Sequence, residues 1–324
     1  MFTRAGGHAY RGENLDPLPA ADRPYSEEGD NRNEIRDFLA GRRAKITPQQ
    51  AGLAPGVRRR VPGLRREEVA VLAGVSTDWY TRLEKGHISG VSEDVLNAVA
   101  RALQLDDAER AHLFDLARAA SARPRPRRQA AKVRPGLQRM LDAMTDAPAL
   151  IRNGRMDLLG VNRLGRAMYW PVYQQRRPGM GGPANIARFQ FLAPAGRAFY
   201  PNWELAADTT VALLRTEAGR DPFNADLTQL IGELSTRSDD FRARWARHDV
   251  RLHHAGSKTF HHPTVGDLTL DYESMDLHAD PGLNLTVYTA APDTAAHDAL
   301  RLLASWAATL DAAGDADTAS SRLP

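Results

Sequence analysis

The chain is 324 residues long, 42% hydrophobic and 26% charged, the proportions of a globular protein with room for two domains. No apolar run reaches the roughly 18 residues of a membrane span, no apolar leader follows Met1, and there is no cysteine; a cytoplasmic protein without disulfides, thiolate metal sites or thiol chemistry is expected. The net charge of +3 conceals an uneven spread: residues 32–134 carry 21 basic and 12 acidic side chains, whereas residues 135–324 carry 19 and 22, so the basic block is drawn to polyanions, nucleic acid first.

Residues 1–31 are rich in Gly, Pro, Asp and Glu without a period and read as a disordered tail. From Glu34 to Arg43, Ile35, Phe38 and Leu39 fall on one helical stripe. Thr47-Pro48-Gln49-Gln50 has the form of a helix start, with Thr as N-cap, Pro at the first position and Gln closing a capping box. Further helices are expected over Leu64–Ala73, from Ser92-Glu93-Asp94 with Val95, Leu96, Val99 and Leu103 inward, and from Asp106-Asp107-Ala108-Glu109 with Leu113, Leu116 and Ala117 inward. Five short helices make an all-α domain over residues 32–120. Pro124, Pro126 and Pro135 deny helix continuation between the arginines of residues 121–135, which read as a basic linker.

The block 136–311 mixes two periods, the mark of an α+β domain. Helices are expected over 204–218, 225–234 and 239–247, and a last one over 293–310. Leu268, Leu270 and Tyr272 alternate with polar residues, as do Leu283, Leu285 and Val287, which predicts an antiparallel pair closed by Asp280-Pro281-Gly282. Residues 312–324 are expected to be a second tail.

The decisive stretch is 67–86, EEVAVLAGVSTDWYTRLEKG. A helix-turn-helix needs a small residue where its helices cross, supplied by Ala70, and a residue tolerant of positive φ at the turn, supplied by Gly74. Ser76 is placed to cap the second helix, while Val75, Tyr80 and Leu83 are placed to face inward. Thr77, Asp78, Thr81 and Arg82 are left on the outward face near the helix N-terminus, the part that enters a major groove, and are the candidate base readers. Arg58, Arg59, Arg60, Arg65, Arg66, Ser76 and Lys85 are the candidate phosphate contacts. Asp78 is as well explained by the helix dipole as by a cytosine, and Glu84 by pairing with an arginine.

These residues resemble the Cro/C1-type (XRE family) helix-turn-helix. Arg58-Arg59-Arg60-Val61-Pro62-Gly63-Leu64 and Trp79-Tyr80-Thr81-Arg82-Leu83-Glu84 are similar to its MmyB-like branch, departing mildly where the family often has two tyrosines for Trp79-Tyr80 and a Gln for Lys85. His262-Pro263-Thr264-Val265-Gly266 and Leu268-Thr269-Leu270-Asp271-Tyr272-Glu273 are similar to the PAS-like ligand-binding domain such regulators carry. The resemblance implies a regulator of transcription that binds double-stranded DNA and holds a small apolar ligand such as a fatty acid. Trp170, Phe191, Trp203, Phe241 and Trp245 are candidates to line that pocket, ordinary core being the bland alternative. The small size of one helix-turn-helix points to a homodimer reading two half-sites.

Two other readings stand beside this one. The C-terminal domain is either a sensor or only a dimerisation module. His253, His254, His261 and His262, close in sequence, are candidate metal ligands, although neighbouring residues on a strand point to opposite faces. No metalloprotease, phosphate-loop or nucleophile-elbow motif is present, so neither an enzyme nor a bound cofactor is expected.

Overall fold

The computed structural model describes residues 27–54, 59, 61–121, 132–175, 182–247 and 254–320. Its first part holds α1 (Glu27–Lys45), α2 (Arg66–Ala73), α3 (Thr77–Glu84), α4 (Glu93–Ala102) and α5 (Asp107–Ser121). The apolar stripes read from the sequence meet in one core, with Ile35, Phe38 and Leu39 of α1 against Val69, Tyr80, Leu83, Leu96, Leu113 and Leu116. α1 starts at Glu27, inside the stretch expected to be tail, and Asn31 is already buried.

The expected helix at Thr47 does not form. Gln50 accepts from the Thr47 amide at 2.8 Å and Thr47 Oγ1 from the Gln50 amide at 3.3 Å, so the capping box closes. Gly52 then turns left-handed at φ 72°, and Leu53 returns its amide to Pro48 O: the signal specifies one turn, which the left-handed glycine ends.

The linker residues 122–131 lie outside the described residues. Beyond them come α6 (Pro135–Asp142), β1 (Ala149–Asn153), β2 (Leu158–Val161), α7 (Arg163–Met168), α8 (Trp170–Gln174), α9 (Ile186–Leu192), α10 (Pro194–Phe199), α11 (Trp203–Arg220), α12 (Ala225–Arg237) and α13 (Asp239–Trp245). β3 (Ala255–His262), β4 (Gly266–Asp276), β5 (Leu283–Thr289) and α14 (Ala295–Ser320) complete the chain. The strands form one antiparallel sheet in the order β2-β1-β5-β4-β3, with the helices from α7 to α13 inserted between its two halves, a PAS-like arrangement. The expected pair is present as β4 and β5, in register Tyr272 to Tyr288. The last helix extends to Ser320, through much of the expected tail; its alanines have the highest helix propensity and no proline stops it.

The two faces of the sheet differ. Leu150, Phe260, Leu268, Leu270 and Tyr288 face a large core shared with Tyr169, Phe199, Leu214 and Leu303. Ala149, Ile151, Leu283 and Leu285 face Leu137 and Leu141 of α6. The two parts of the molecule touch where α11 packs on α5. There the fully buried Arg215 pairs with Glu34 of α1 at 2.5 Å and stacks 4.0 Å above the Trp245 ring.

Candidate nucleic-acid interface and cavity

Local rules build the α2–α3 corner. Gly74 adopts φ 68°, ψ 31° and ends α2, the Val75 amide returning to Ala70 O at 2.9 Å. Ser76 Oγ then accepts from the Trp79 amide at 3.1 Å and starts α3. Ala70 is 1% exposed at the crossing, and Tyr80 and Leu83 are buried beneath α3, each worth about 1.5–3 kcal/mol of apolar burial. Val75 is half-buried.

The opposite face of α3 is open. Thr77, Asp78, Arg82 and Lys85 are exposed and Thr81 is half-exposed. Neither Arg82 nor Lys85 makes an ion pair among the described residues. The helix therefore presents a row of polar side chains, with its positive N-terminal end, to whatever lies in front of it.

The other basic candidates divide. Arg59 is committed internally, donating to both oxygens of Glu68 at 2.6 and 2.8 Å and to Gly63 O at 2.7 Å. Those bonds hold the Glu68 carboxyl down to about 2, against the upward push of burial, with the Arg65 amide at 2.6 Å assisting. Arg66 donates to Glu84 at 2.9 Å while half its side chain stays exposed, and Arg65 reaches Glu67. Arg58 and Arg60 lie outside the described residues.

Glu84 is structural, as its alternative reading had it. The carboxylate is 1% exposed; burial alone would raise its pKa, yet Arg43, bidentate at 2.9 Å on both oxygens, and Arg66 hold it below the usual range. The three residues together tie α3 to α1 and α2 and so set the attitude of the outward face.

The five aromatics expected around a pocket pack against neighbouring rings. Phe191 packs edge-on against Trp203 and Phe241 with centroids 5.8 and 5.1 Å apart, Phe241 stacks on Trp245, and Trp170 meets Trp306 edge-on. None of them lines the cavities on the inner sheet face. Arg197 lies 3.9 Å above the Trp203 ring.

The larger cavity, about 290 Å³, opens between β1, β5 and α11 and is lined by Arg152, Leu213, Glu217, Arg220, Asp276 and Asn284 among others. A smaller lobe of about 20 Å³ shares Arg152 and Leu213 with it and continues inward to Tyr169, Lys258, Thr286 and Tyr288. The Tyr169 and Tyr288 hydroxyls hydrogen-bond at 2.7 Å, and Ser274, Thr286 and Asn284 form a chain of polar contacts of 2.7–3.1 Å. This part of the inner face is thus polar. Arg152 escaped the sequence reading because β1 is five residues long and nearly all buried, leaving no alternation to read. Lys258 carried a legible signal: it alternates with Phe260 on one face of β3.

The histidines do not converge. His262 is buried, its Nε2 3.1 Å from Ala167 O and its Nδ1 accepting from the Thr264 amide, and burial lowers its pKa. His261 lies on the other face with Asp267 at 2.6 Å, His254 is exposed, and His253 is outside the described residues. Among the described residues no three His, Asp or Glu side chains are grouped as metal ligands. Nor is any described helix long and apolar enough to cross a membrane.

Comparison with known proteins agrees with this geometry at two places. Residues 133–303, more than half of the chain, match the model of the MmyB-like transcription regulator ligand binding domain. Residues 34–113 match a helix-turn-helix domain. No curated protein matches the chain.

Proposed function

The chain belongs to the MmyB-like transcription regulators, and on that premise we propose that it reads operator DNA as a homodimer, with α3 in the major groove, under the control of a small ligand of the fatty-acid kind held by the C-terminal domain. The observation that carries the DNA reading is the split of α3 into a buried face, Tyr80 and Leu83, and an exposed face running from Thr77 to Arg82. On that face Arg82 is the candidate for a forked contact to guanine, Thr77 and Thr81 for thymine methyls or phosphates, and Asp78 for cytosine N4. Ser76, Lys85, Arg65 and the free edge of Arg66 are assigned to phosphates, with Arg58 and Arg60; Arg59, held by Glu68, is better placed to support the turn than to reach DNA. Two copies then read half-sites about 34–36 Å apart.

Selection of bound fragments from a random duplex library, at low and at physiological salt, tests the reading. A discrete, roughly palindromic motif is expected. Arg82→Ala should lose about 1–3 kcal/mol of discrimination at one base position, whereas Lys85→Ala should weaken all sequences alike and lower the salt slope by about 1. Retention of the same motif at full discrimination by Arg82→Ala would remove Arg82 from the base-reading set.

A further inference from the structure

The sheet ends differently at its two edges. At β2 the Leu158 amide donates to Ala184 O at 2.8 Å and Asp157 bridges to Asn185, so that edge is closed. β3 is the other edge, eight residues long and paired with β4 in an unbroken register from Ala255 opposite Glu273 to His262 opposite Gly266. The Ser274 amide donates to His254 O, and with that register the main-chain groups of Gly256, Lys258, Phe260 and His262 turn toward β4. The amides and carbonyls of Ser257, Thr259 and His261 turn the other way, and among the described residues none of them has a partner. Ser257 and His261 are exposed and Thr259 is half-exposed. An open row of this kind is a template for another strand, and it is ordinarily blocked by a proline, a bulge or outward charge. β3 contains no proline and no shift of register; Ser257 and Thr259 are neutral, and His261 is met by its own Asp267 at 2.6 Å.

We propose that the free edge of β3 is the dimer interface: a second copy of this chain lays its own β3 antiparallel to the first, about a two-fold axis at Thr259, and joins the two sheets into one. This rests on the homodimer reading above and names the surface that makes the dimer. The occupant is a second copy because the row complements itself. With Thr259 opposite Thr259, Ser257 of each copy stands opposite His261 of the other, so every free amide and carbonyl of the three residues is used and the contact is isologous. The ladder then stops at Pro263, which has no amide to give to Ala255 of the other copy. On the inner face Lys258 lies opposite Phe260 of the second copy, the ring type it already approaches at 5.3 Å within its own chain. The neighbouring register, with Ser257 opposite Thr259, sets Lys258 against Lys258 and is opposed by like charge. Lys258 thereby selects the register, and a strand of unrelated sequence has no such match to make.

The test is sedimentation equilibrium of the full chain, as wild type, Thr259→Lys and Thr259→Pro, with circular dichroism of each and hydrogen exchange read at the amides of Ser257, Thr259 and His261. Lysine sets two like charges on the axis; proline removes an amide that faces away from β4, where a sheet edge tolerates it. The wild type is expected to be a dimer with those amides protected, and to lose the protection on dilution. Either variant should raise the dissociation constant at least about tenfold at unchanged circular dichroism. Should Thr259→Pro fail to fold, Thr259→Lys carries the comparison. Wild-type dimer affinity in both variants overturns the β3 interface while leaving the homodimer in place. A wild type that is monomeric at every concentration overturns the homodimer reading and the interface with it. Protection of the three amides in a monomer, as a foreign peptide or another segment of the chain would give, overturns the second copy as occupant.

Discussion

Single residues here are decided by what surrounds their charge. Glu84 and Lys258 both carry buried charge, but Glu84 is met by two guanidiniums and stays ionised, while Lys258 is met by aromatic rings and a like charge. The consequence for Lys258 is a pH dependence. Around its ammonium stand Arg152 from β1, Tyr288 from β5, and Tyr169 and Tyr200 from the helical side. The tyrosines, their pKa values raised by burial, stay neutral, so Lys258 is the group that titrates. Its charged form predominates below about 8.

Elements were legible where a local rule and a packed face agreed. Ser76 caps α3, Ser238 accepts from the Phe241 amide to start α13, and Asn224 does the same for α12, each with apolar residues directly behind it. The Thr47 box, formed at the hydrogen-bond level, is cut off after one turn by the left-handed Gly52. α3 has eight residues, too few to hold by propensity, so its cap matters. Ser76→Ala should lower the stability of the helix-turn-helix part by about 1 kcal/mol, read as a shift of its denaturant midpoint at unchanged slope; an unmoved midpoint would mean that Glu84 and the core fix α3 without the cap. The short strands β1 and β2 and the helices α7 to α10 follow no period that residues so close in sequence display, and tertiary packing alone picks them out.

At the scale of the whole molecule, α11 connects the two activities. Thr210, Leu213, Thr216 and Glu217 on it line the cavities, and Arg215 and Gly219 on its other side meet Glu34 and His112. A Cβ on Gly219 would stand 2.6 Å from the ring of His112, itself fully buried and unable to turn away. Gly219→Ala should therefore prise α11 from α5, seen as faster amide hydrogen exchange in α5 with the β4–β5 pairing still protected. Gly232→Ala on α12, where no atom lies within 4 Å, is the matched control and should leave exchange in α5 unchanged. Equal exchange in the two variants would show that the contact yields without cost.

What the chain determined by itself was the helix-turn-helix, its outward residues, and the division into a basic helical part and an α+β part. Those depend on spacing, caps and turn residues, which act between neighbours. The tertiary structure alone decided which aromatics are core, that Arg59 and Glu84 are held inside while Arg82 is open, and that Arg152 and Lys258 share a cavity. Those residues lie on strands more than a hundred positions apart, brought together by the β1-β5-β4-β3 pairing; whether a buried charge has a partner is a property of that meeting and not of any local pattern.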